Sequence, residues 1–454
     1  ELSFDRYHEN ADRIYRLVTD MDLGKMRGRY AVSNYIAGKT LARDYPEVEK
    51  SVRFQKVPFK LLFQYDDIQF YEDNICLADS TVFDIFTFPL IQGDPHNALN
   101  SAFSIVITED LAQKYFGDND PIGRIIRANN DVDLTVTGIM QNVPRNSHFL
   151  FDALVSFEIL RHIHENYQKE IEEDWMDHDN YTYLLLQKAY DYRDLEKKFP
   201  AFIEKHMGTT LEAIGGKVEY FLQPLTQIHL KSKLEFDTNN TDIVYVLAFS
   251  MIAIFVLCIA CINFMNLSTG RSVSRAKEVG VRKAQGAQRS NLIHQFLCEA
   301  FLWSCLSFAG SLGLVEITLP FFHWLSGIDL SSISIFRPWF ILGCLGLILF
   351  VAFVAGIYPA VYLSGFQTIQ VQTGRLKTGP AGSPFRNTLV VGQFTISIGL
   401  IIVSAIIFAQ IHYMKHERLG FNKNRIVVLR MIGDSFEKSI QTIKTELSSC
   451  SGVI

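Results

Sequence analysis

The sequence predicts an α+β domain followed by an α-helical transmembrane domain, and three observations carry that prediction. Residues 1–240 mix helical and strand-like hydrophobic periods without long apolar runs. Beyond residue 240 come four apolar stretches, each near the ~20 residues that cross a ~30 Å hydrocarbon layer at ~1.5 Å per residue. Two of the segments between those stretches are basic, the charge bias that marks the cytoplasmic side of a membrane. With 454 residues, 48% of them hydrophobic, and a net charge of −5, the chain is too long for one small domain and too apolar for an ordinary soluble protein.

In the first domain, helical patterns fall near residues 33–45, 108–116, 157–170 and 192–206. Strand-like alternation falls near residues 14–19, 52–54, 60–64, 125–128, 134–140, 181–187 and 217–222, with Gly, Asn, Asp and Pro clusters between them. The elements do not alternate as a βαβ repeat, so the expected class is α+β. Of seven cysteines, five lie in apolar runs and only Cys76 lies in this domain, so no intradomain disulfide holds it.

The membrane domain is read as three spans within 241–363, a cytoplasmic linker 364–388, and a fourth span 389–411. The first stretch, 243–262, carries no charge and must cross. The second, 296–319, holds Glu299 near its inner end and Glu316 near its outer end, where a carboxylate reaches the interface or a protein partner. The third, 339–358, ends near Pro359, and the fourth is interrupted by Gln393. Asn263 and Asn266 close the first stretch, while Gly343, Gly346, Gly356, Gly392 and Gly399 allow close helix packing.

Orientation follows from residues 268–291, which carry Arg271, Arg275, Lys277, Arg282, Lys283 and Arg289 against the single acid Glu278. So basic a short segment stays inside. The linker, with Arg375, Lys377 and Arg386 and no acid, agrees, and the domain 1–240 then lies outside. That placement calls for a membrane segment before Glu1. No signal-type segment opens the chain and SCSGVI ends it without a terminating pattern, so it is expected to be a fragment.

The same island has an internal pattern. Ala276, Val279 and Lys283 sit three and four apart, so a short helix would show a weakly apolar strip beside its cations. Such a strip suits docking against another protein better than burial in a core. Gly280 and Gly286 each cost a helix roughly 1 kcal/mol against Ala, which is tolerable where a partner backbone approaches or the chain bends sharply. The plainer reading is a solvated basic loop that only sets topology.

Chemistry-bearing motifs are scarce. No G-x-x-x-x-G-K-[ST] phosphate loop is present; Gly215-Gly216-Lys217-Val218 lacks the spacing and the hydroxyl. His162, His164 and Glu165, and Asp174, Asp177, His178 and Asp179, offer metal-ligand types but read as solvated loops. Cys258 and Cys261 have ligand spacing without a second pair, so small apolar filler is the better account. A catalytic site in residues 1–240 would need a nucleophile with its base, and none is visible.

Residues 278–287, EVGVRKAQGA, resemble the cytoplasmic coupling segment of ABC-transporter permeases of the MacB/FtsX-like family. Residues 4–17, 108–126 and 136–152 resemble the extracytoplasmic core domain of the same family, and 222–230 its closing strand. The resemblance implies a bacterial, multi-pass permease subunit of the inner (plasma) membrane that moves its outer domain when a separate cytoplasmic ABC ATPase hydrolyses ATP, for efflux or export. It implies that Glu278, Gly280, Arg282, Lys283 and Gly286 contact the ATPase, with no catalytic residue, cofactor or metal in this chain. The implied partners are that ATPase, membrane lipid, a periplasmic adaptor or envelope protein, and a second permease unit in a dimer or pseudo-dimer, with no nucleic acid. The alternative within the family is an FtsX-like signalling protein that regulates an envelope hydrolase or sensor kinase. Residues 417–431, ERLGFNKNRIVVLRM, echo residues 1–17, so 412–454 is expected to open a second, truncated extracytoplasmic domain of a duplicated parent.

Overall fold

The computed structural model describes residues 1–24, 27–164, 166–238, 240–270, 272–326, 338–364, 382–417 and 434–449. They divide into two compact units, Glu1–Val246 with Val427–Ile454, and Leu247–Ile426.

The first unit is organised on one mixed sheet. Its strands are β1 (Ile14–Asp22), β2 (Arg27–Tyr30), β3 (Ser33–Asn34), β4 (Val48–Lys56), β5 (Leu61–Tyr65), β6 (Ile68–Glu72), β7 (Ile75–Ala78), β8 (Leu90–Gln92), β9 (Ser104–Thr108), β10 (Ile125–Ala128), β11 (Val132–Met140), β12 (Ala153–Ser156), β13 (His178–Leu186) and β14 (Lys217–Pro224). Their order is β14-β1-β13-β4-β7-β12-β9-β11-β10-β5-β6, with β2 also on β1, β3 on β13 and β8 on β11. Pairing is antiparallel except for β11 with β9 and β12 with β7. This is the expected α+β class.

The strands that alternation did not reveal include β9 and β12, each in a parallel pairing on one side. Every residue of β9 and of β12 is buried, because parallel strands are covered on both faces and read as continuous apolar runs rather than as alternation. One helix against the sheet begins at a side-chain cap. The Thr108 hydroxyl accepts from the Leu111 N–H at 3.4 Å and opens Glu109–Phe116, whose first turn carries Glu109 and Asp110. That helix buries Leu111, Ala112, Tyr115 and Phe116.

Aromatic rings fill the centre. Phe54 packs against Phe149 at 4.9 Å and edge-on to Phe86 at 5.5 Å and Tyr183 at 5.9 Å, pairings worth about 0.5–1.5 kcal/mol each beyond buried area. A polar network pins the start of the chain to this core. Asp5, at φ 57, accepts from His148 Nδ1 at 2.8 Å and from the His148 N–H at 3.1 Å, and His148 Nε2 meets the Tyr183 hydroxyl at 2.8 Å. Residues 4–17 and 136–152, two of the stretches carrying the resemblance, thereby meet in space.

Four expectations are corrected. Residues 222–230 do not form one strand: β14 ends at Pro224, and Leu225–Lys231 is a helix with Leu225 and Ile228 fully buried. Proline has no N–H for a ladder but suits the start of a helix. The helix expected over 157–170 breaks into Phe157–Ile159, Leu160–Ile163 and Gln168–Glu172, since Phe157 and Ile159 are buried two apart and His164 is extended at φ −99, ψ 115. Residues 192–206 split into Tyr192–Glu196 and Phe199–Ile214, with Pro200 in the first turn of the second helix. The third span does not stop at Pro359; the helix Pro338–Ser364 runs through it, and Ala360 is fully buried one residue on.

The second unit holds four helices long and apolar enough to cross a membrane: Ile243–Ser268, Arg289–Leu325, Pro338–Val361 and Asn387–His416. Large apolar side chains along them face outward, including Phe249 at 71%, Trp339 at 84% and Phe408 at 72% exposure, a surface suited to lipid and not to water. Gly356 is the glycine on which packing depends: a Cβ there would lie 2.8 Å from the Ala300 Cβ of the second helix. Gly343, Gly346, Gly392 and Gly399 have nothing within 4 Å of a built Cβ. Residues 365–381, with Arg375 and Lys377, and residues 418–433 of the expected tail repeat lie outside the described residues.

Burial pushes the buried His8 down to about 4, while its Nδ1 accepts from the Thr87 N–H at 3.0 Å. The unfolded chain therefore binds that proton first, near its ordinary pKa of about 6.5. The stabilisation is complete above about 6.5 and falls as the pH drops toward about 4. Hydrogen-exchange protection of the sheet amides in the full chain, corrected for intrinsic rates, is expected to decline across that window. His8→Asn, which keeps an acceptor for Thr87 and has no proton to gain, is expected to flatten the decline.

Candidate functional site

Residues 272–284 fold as the short helix that their periodicity suggested, Ser272–Ala284, between the first and second span helices. One apolar side chain roots it. Val279 is 2% exposed and packs with Leu292 and Phe296 of Arg289–Ser326 and with Ala360 of Pro338–Ser364. The apolar strip thus serves an internal seat as well as a surface, which narrows the expectation that it is left for a partner. Val281, two residues on, stays 58% exposed.

Polar contacts fix the rotation of the helix. Arg275 grips Glu299 through both guanidinium nitrogens, at 2.8 and 2.5 Å, so Glu299 meets a cation of its own chain. The Lys283 ammonium donates to the Ser364 carbonyl at 2.7 Å, and Arg289 Nε donates to the Ser364 hydroxyl at 3.3 Å. The last turn of the third span helix is thereby tied to the basic segment. Arg282 bonds Glu278 one turn back at 2.7 Å and also donates to Gln295.

The five sequence-derived residues therefore divide by position. Glu278, with 56% of its side chain exposed, and Arg282, with 41%, form an ion pair on the outer surface. Gly280 is buried and Lys283 is half-buried on the seated side. Gly286, at φ 94, ends the helix: the Ala287 N–H donates to the Arg282 carbonyl and the Gly286 N–H to the Lys283 carbonyl, both at 3.0 Å. This double closure at a left-handed residue favours glycine for the bend alone. Glu299, Ser364 and Ala360 were not among the predicted site residues. The isolated acid Glu299 at the inner end of an apolar run was the one available signal, since such a charge requires a partner.

A second arrangement marks where the outer unit leads into the first span helix, which begins at Ile243. The Arg16 guanidinium of β1, fully buried, donates to Asp237 at 2.7 Å, Gln223 at 2.7 Å and the Ser232 hydroxyl at 3.1 Å. The Ala31 N–H donates to the Glu235 carbonyl at 3.0 Å and the Glu235 N–H to the Arg29 carbonyl at 2.8 Å. Tyr181 donates to the Phe236 carbonyl at 2.8 Å, and the Thr241 N–H to the His229 carbonyl at 2.7 Å. The connecting segment is thus bonded to β1, to β2 and the residue after it, to β13 and, at Thr241, to the helix Leu225–Lys231.

Metal chemistry finds no support among the described residues, which contain no group of three or more His, Cys, Asp or Glu side chains placed to hold an ion. Within the suggested clusters, Asp179 accepts from Gln55 at 2.8 Å, and His178 Nδ1 bonds the Met176 carbonyl at 2.8 Å.

A mixed-sheet domain that precedes four helices long and apolar enough to cross a membrane, with a short basic helix seated on two of them, defines the class as a multi-span membrane protein with a large domain ahead of its spans. The MacB-like periplasmic core domain family matches residues 2–201, and the FtsX-like permease C-terminal family matches residues 250–368. The chain belongs to the MacB/FtsX-like permease family. It is 26% identical over 245 residues to the macrolide export ATP-binding/permease protein MacB of Neisseria gonorrhoeae, covering 53% of this chain and 35% of that one. It is 24% identical over 230 residues to the probable syringafactin export ATP-binding/permease protein SyfD of Pseudomonas syringae, covering 50% and 30%. The aligned stretch thus spans about a third of the length of these relatives. The periplasmic region of MacB from Actinobacillus actinomycetemcomitans aligns with a TM-score of 0.33 at 13% identity, covering 48% of this chain and 91% of that one.

Val279→Asp is expected to unseat the helix, because a carboxylate at a 2% exposed apolar position has no partner, at a cost of several kcal/mol. Limited proteolysis of the full chain in detergent checks this: cleavage within 272–289 rises in Val279→Asp and stays at the parent level in Val281→Asp, whose parent side chain is exposed.

Proposed function

We propose that this chain is the permease part of an export system in the bacterial inner membrane, and that an ATPase drives it by pushing on the helix Ser272–Ala284. The observation that carries this reading is the combination of seat and surface. The helix is rooted by Val279 and by the Arg275–Glu299 and Lys283–Ser364 contacts, while Glu278, Val281 and Arg282 remain outside. A solvated loop that only sets topology needs no such root. A force on the outer face passes to the second span through Glu299 and Phe296, and to the third through Ala360 and Ser364.

The basic composition of the segment supports a cytoplasmic face for it and an extracytoplasmic one for residues 1–240. The span helices carry few ionisable groups, unlike membrane proteins that pass ions or sugars through a polar midplane. Transmission of motion to the outer domain fits that scarcity better. The nucleotide-binding function, printed in the names of the relatives alongside permease, belongs in this reading to an ATPase partner in the cytoplasm. Two permease units would face one another around the exported compound, with an adaptor or envelope protein receiving it.

The test is the exchange Glu278→Arg with Arg282→Glu, which keeps an intrahelical pair but reverses the surface it shows. Co-purification with the cognate ATPase and stimulation of its ATP hydrolysis are expected to fall at least about tenfold, the equivalent of about 1.4 kcal/mol of contact energy. Unchanged co-purification and stimulation overturn the assignment.

A further inference from the structure

The sheet ends on β14, and no described strand pairs with its far side. There the helix Phe199–Ile214 stands off from the strand and leaves a cleft of about 490 Å³. Its floor is apolar, from Ile203 and Leu211, and Gly208 on the same helix is buried beneath the Glu204 carboxylate. Along the cleft stand Glu196, Glu204, Glu212 and Glu219, against one cation, Lys217, which is already paired with Glu219 at 2.5 Å.

The backbone of β14 is turned toward this cleft. The Leu222 N–H, which faces away from β1, donates to the Glu196 carboxylate at 2.7 Å, so a side chain occupies one place that a neighbouring strand would take. Antiparallel pairing alternates the direction of backbone groups along a strand. Tyr220 and Val218 therefore present their N–H and C=O groups to the same side, while their side chains are buried under the helix. An open edge of this kind is a template for another extended chain, and natural sheets usually obstruct it. Here the obstruction is one carboxylate at one end.

We propose that the cleft between β14 and the helix Phe199–Ile214 takes an extended, basic segment of a partner protein, which adds to the sheet as a strand. Backbone hydrogen bonds at Val218 and Tyr220 supply the pairing, as in other cases of strand addition. Cationic side chains on one face of the segment meet Glu204 and Glu212, their alkyl stems lying along Ile203 and Leu211. The inference concerns the outer domain alone and does not depend on how ATP hydrolysis is coupled.

The experiment uses the full chain in lipid nanodiscs with three short labelled peptides: one alternating lysine and valine, its glutamate–valine counterpart, and a lysine–valine peptide N-methylated along one edge. The lysine–valine peptide is expected to bind and to slow amide exchange at Val218 and Tyr220, with the acidic and N-methylated peptides at least about tenfold weaker. Glu204→Lys with Glu212→Lys, both exposed on the helix and tolerable for folding, is expected to weaken the basic peptide about tenfold and to strengthen the acidic one. Equal binding of all three peptides, indifference to the two charge reversals, or protection elsewhere than β14 overturns the proposal. So does protection of β14 without peptide in a particle holding two chains, which assigns the edge to a second copy. A chain that fails the ATPase test still gives a result here, so the two readings fail separately.

Discussion

A hydrocarbon layer offers no partner to a free peptide group, and that constraint organises this molecule. Each candidate span is one continuous helix, of 26, 37, 24 and 30 residues, its internal bonding missing a donor only where Pro320 and Pro359 supply no N–H. A helix bonded internally along its length is a stiff rod, so movement enters and leaves it at its ends. The polar contacts gather there, with Arg275, Glu299, Lys283 and Ser364 at one set of ends, and Arg16, Asp237 and Ser232 just before the start of the first.

These two polar clusters do not weigh the same. The Arg275–Glu299 pair leaves 30% and 35% of its side chains exposed, so solvent screens it and a value near or below about 1 kcal/mol is reasonable. The platform helix is held mainly by burial of Val279 among Leu292, Phe296 and Ala360, with the ion pair setting its rotation. Arg16 is the opposite case, with its side chain 0% exposed and that of Asp237 5%. Burying the pair is costly, and what justifies it is the number of acceptors around one guanidinium: removal of either partner leaves a buried charge, at about 3–5 kcal/mol. The joint before the first span helix is therefore specified more tightly than the seat of the platform helix.

How far the sequence disclosed this depends on which physical signal each part emits. The four spans were legible because an apolar run of about 20 residues is longer than a buried core helix of a soluble domain requires, and the platform helix because Val279 and Lys283 fall at helical spacing. Strand β10 was legible as a short alternating run, whereas β9 and β12 were not, since burial on both faces erases alternation. The break at Pro224 was not legible in the resemblance to a closing strand, which runs straight across that proline. Within the site, exposure separated residues that sequence treated alike: Glu278 and Arg282 face outward, whereas Gly280 is buried and Gly286 serves the helix end. The partners of Arg275 and Lys283 lie 24 and 81 residues away, and no local pattern announces contacts at that separation.

In the first unit one strand carries both the anchor of the connecting segment and the pairing to the edge strand. β1 pairs with β14 on one side and with β13 and β2 on the other, and from near its start Arg16 reaches the segment that leads to the first span helix. A displacement of Asp237 is therefore applied to the sheet at a strand with neighbours on both sides, where eight register pairs with β14 resist sliding. A loose tether would absorb such a displacement in backbone rotations. Here the segment 232–242 is bonded at Ser232, Glu235, Phe236, Asp237 and Thr241, so a displacement applied to it would reach the sheet with little slack.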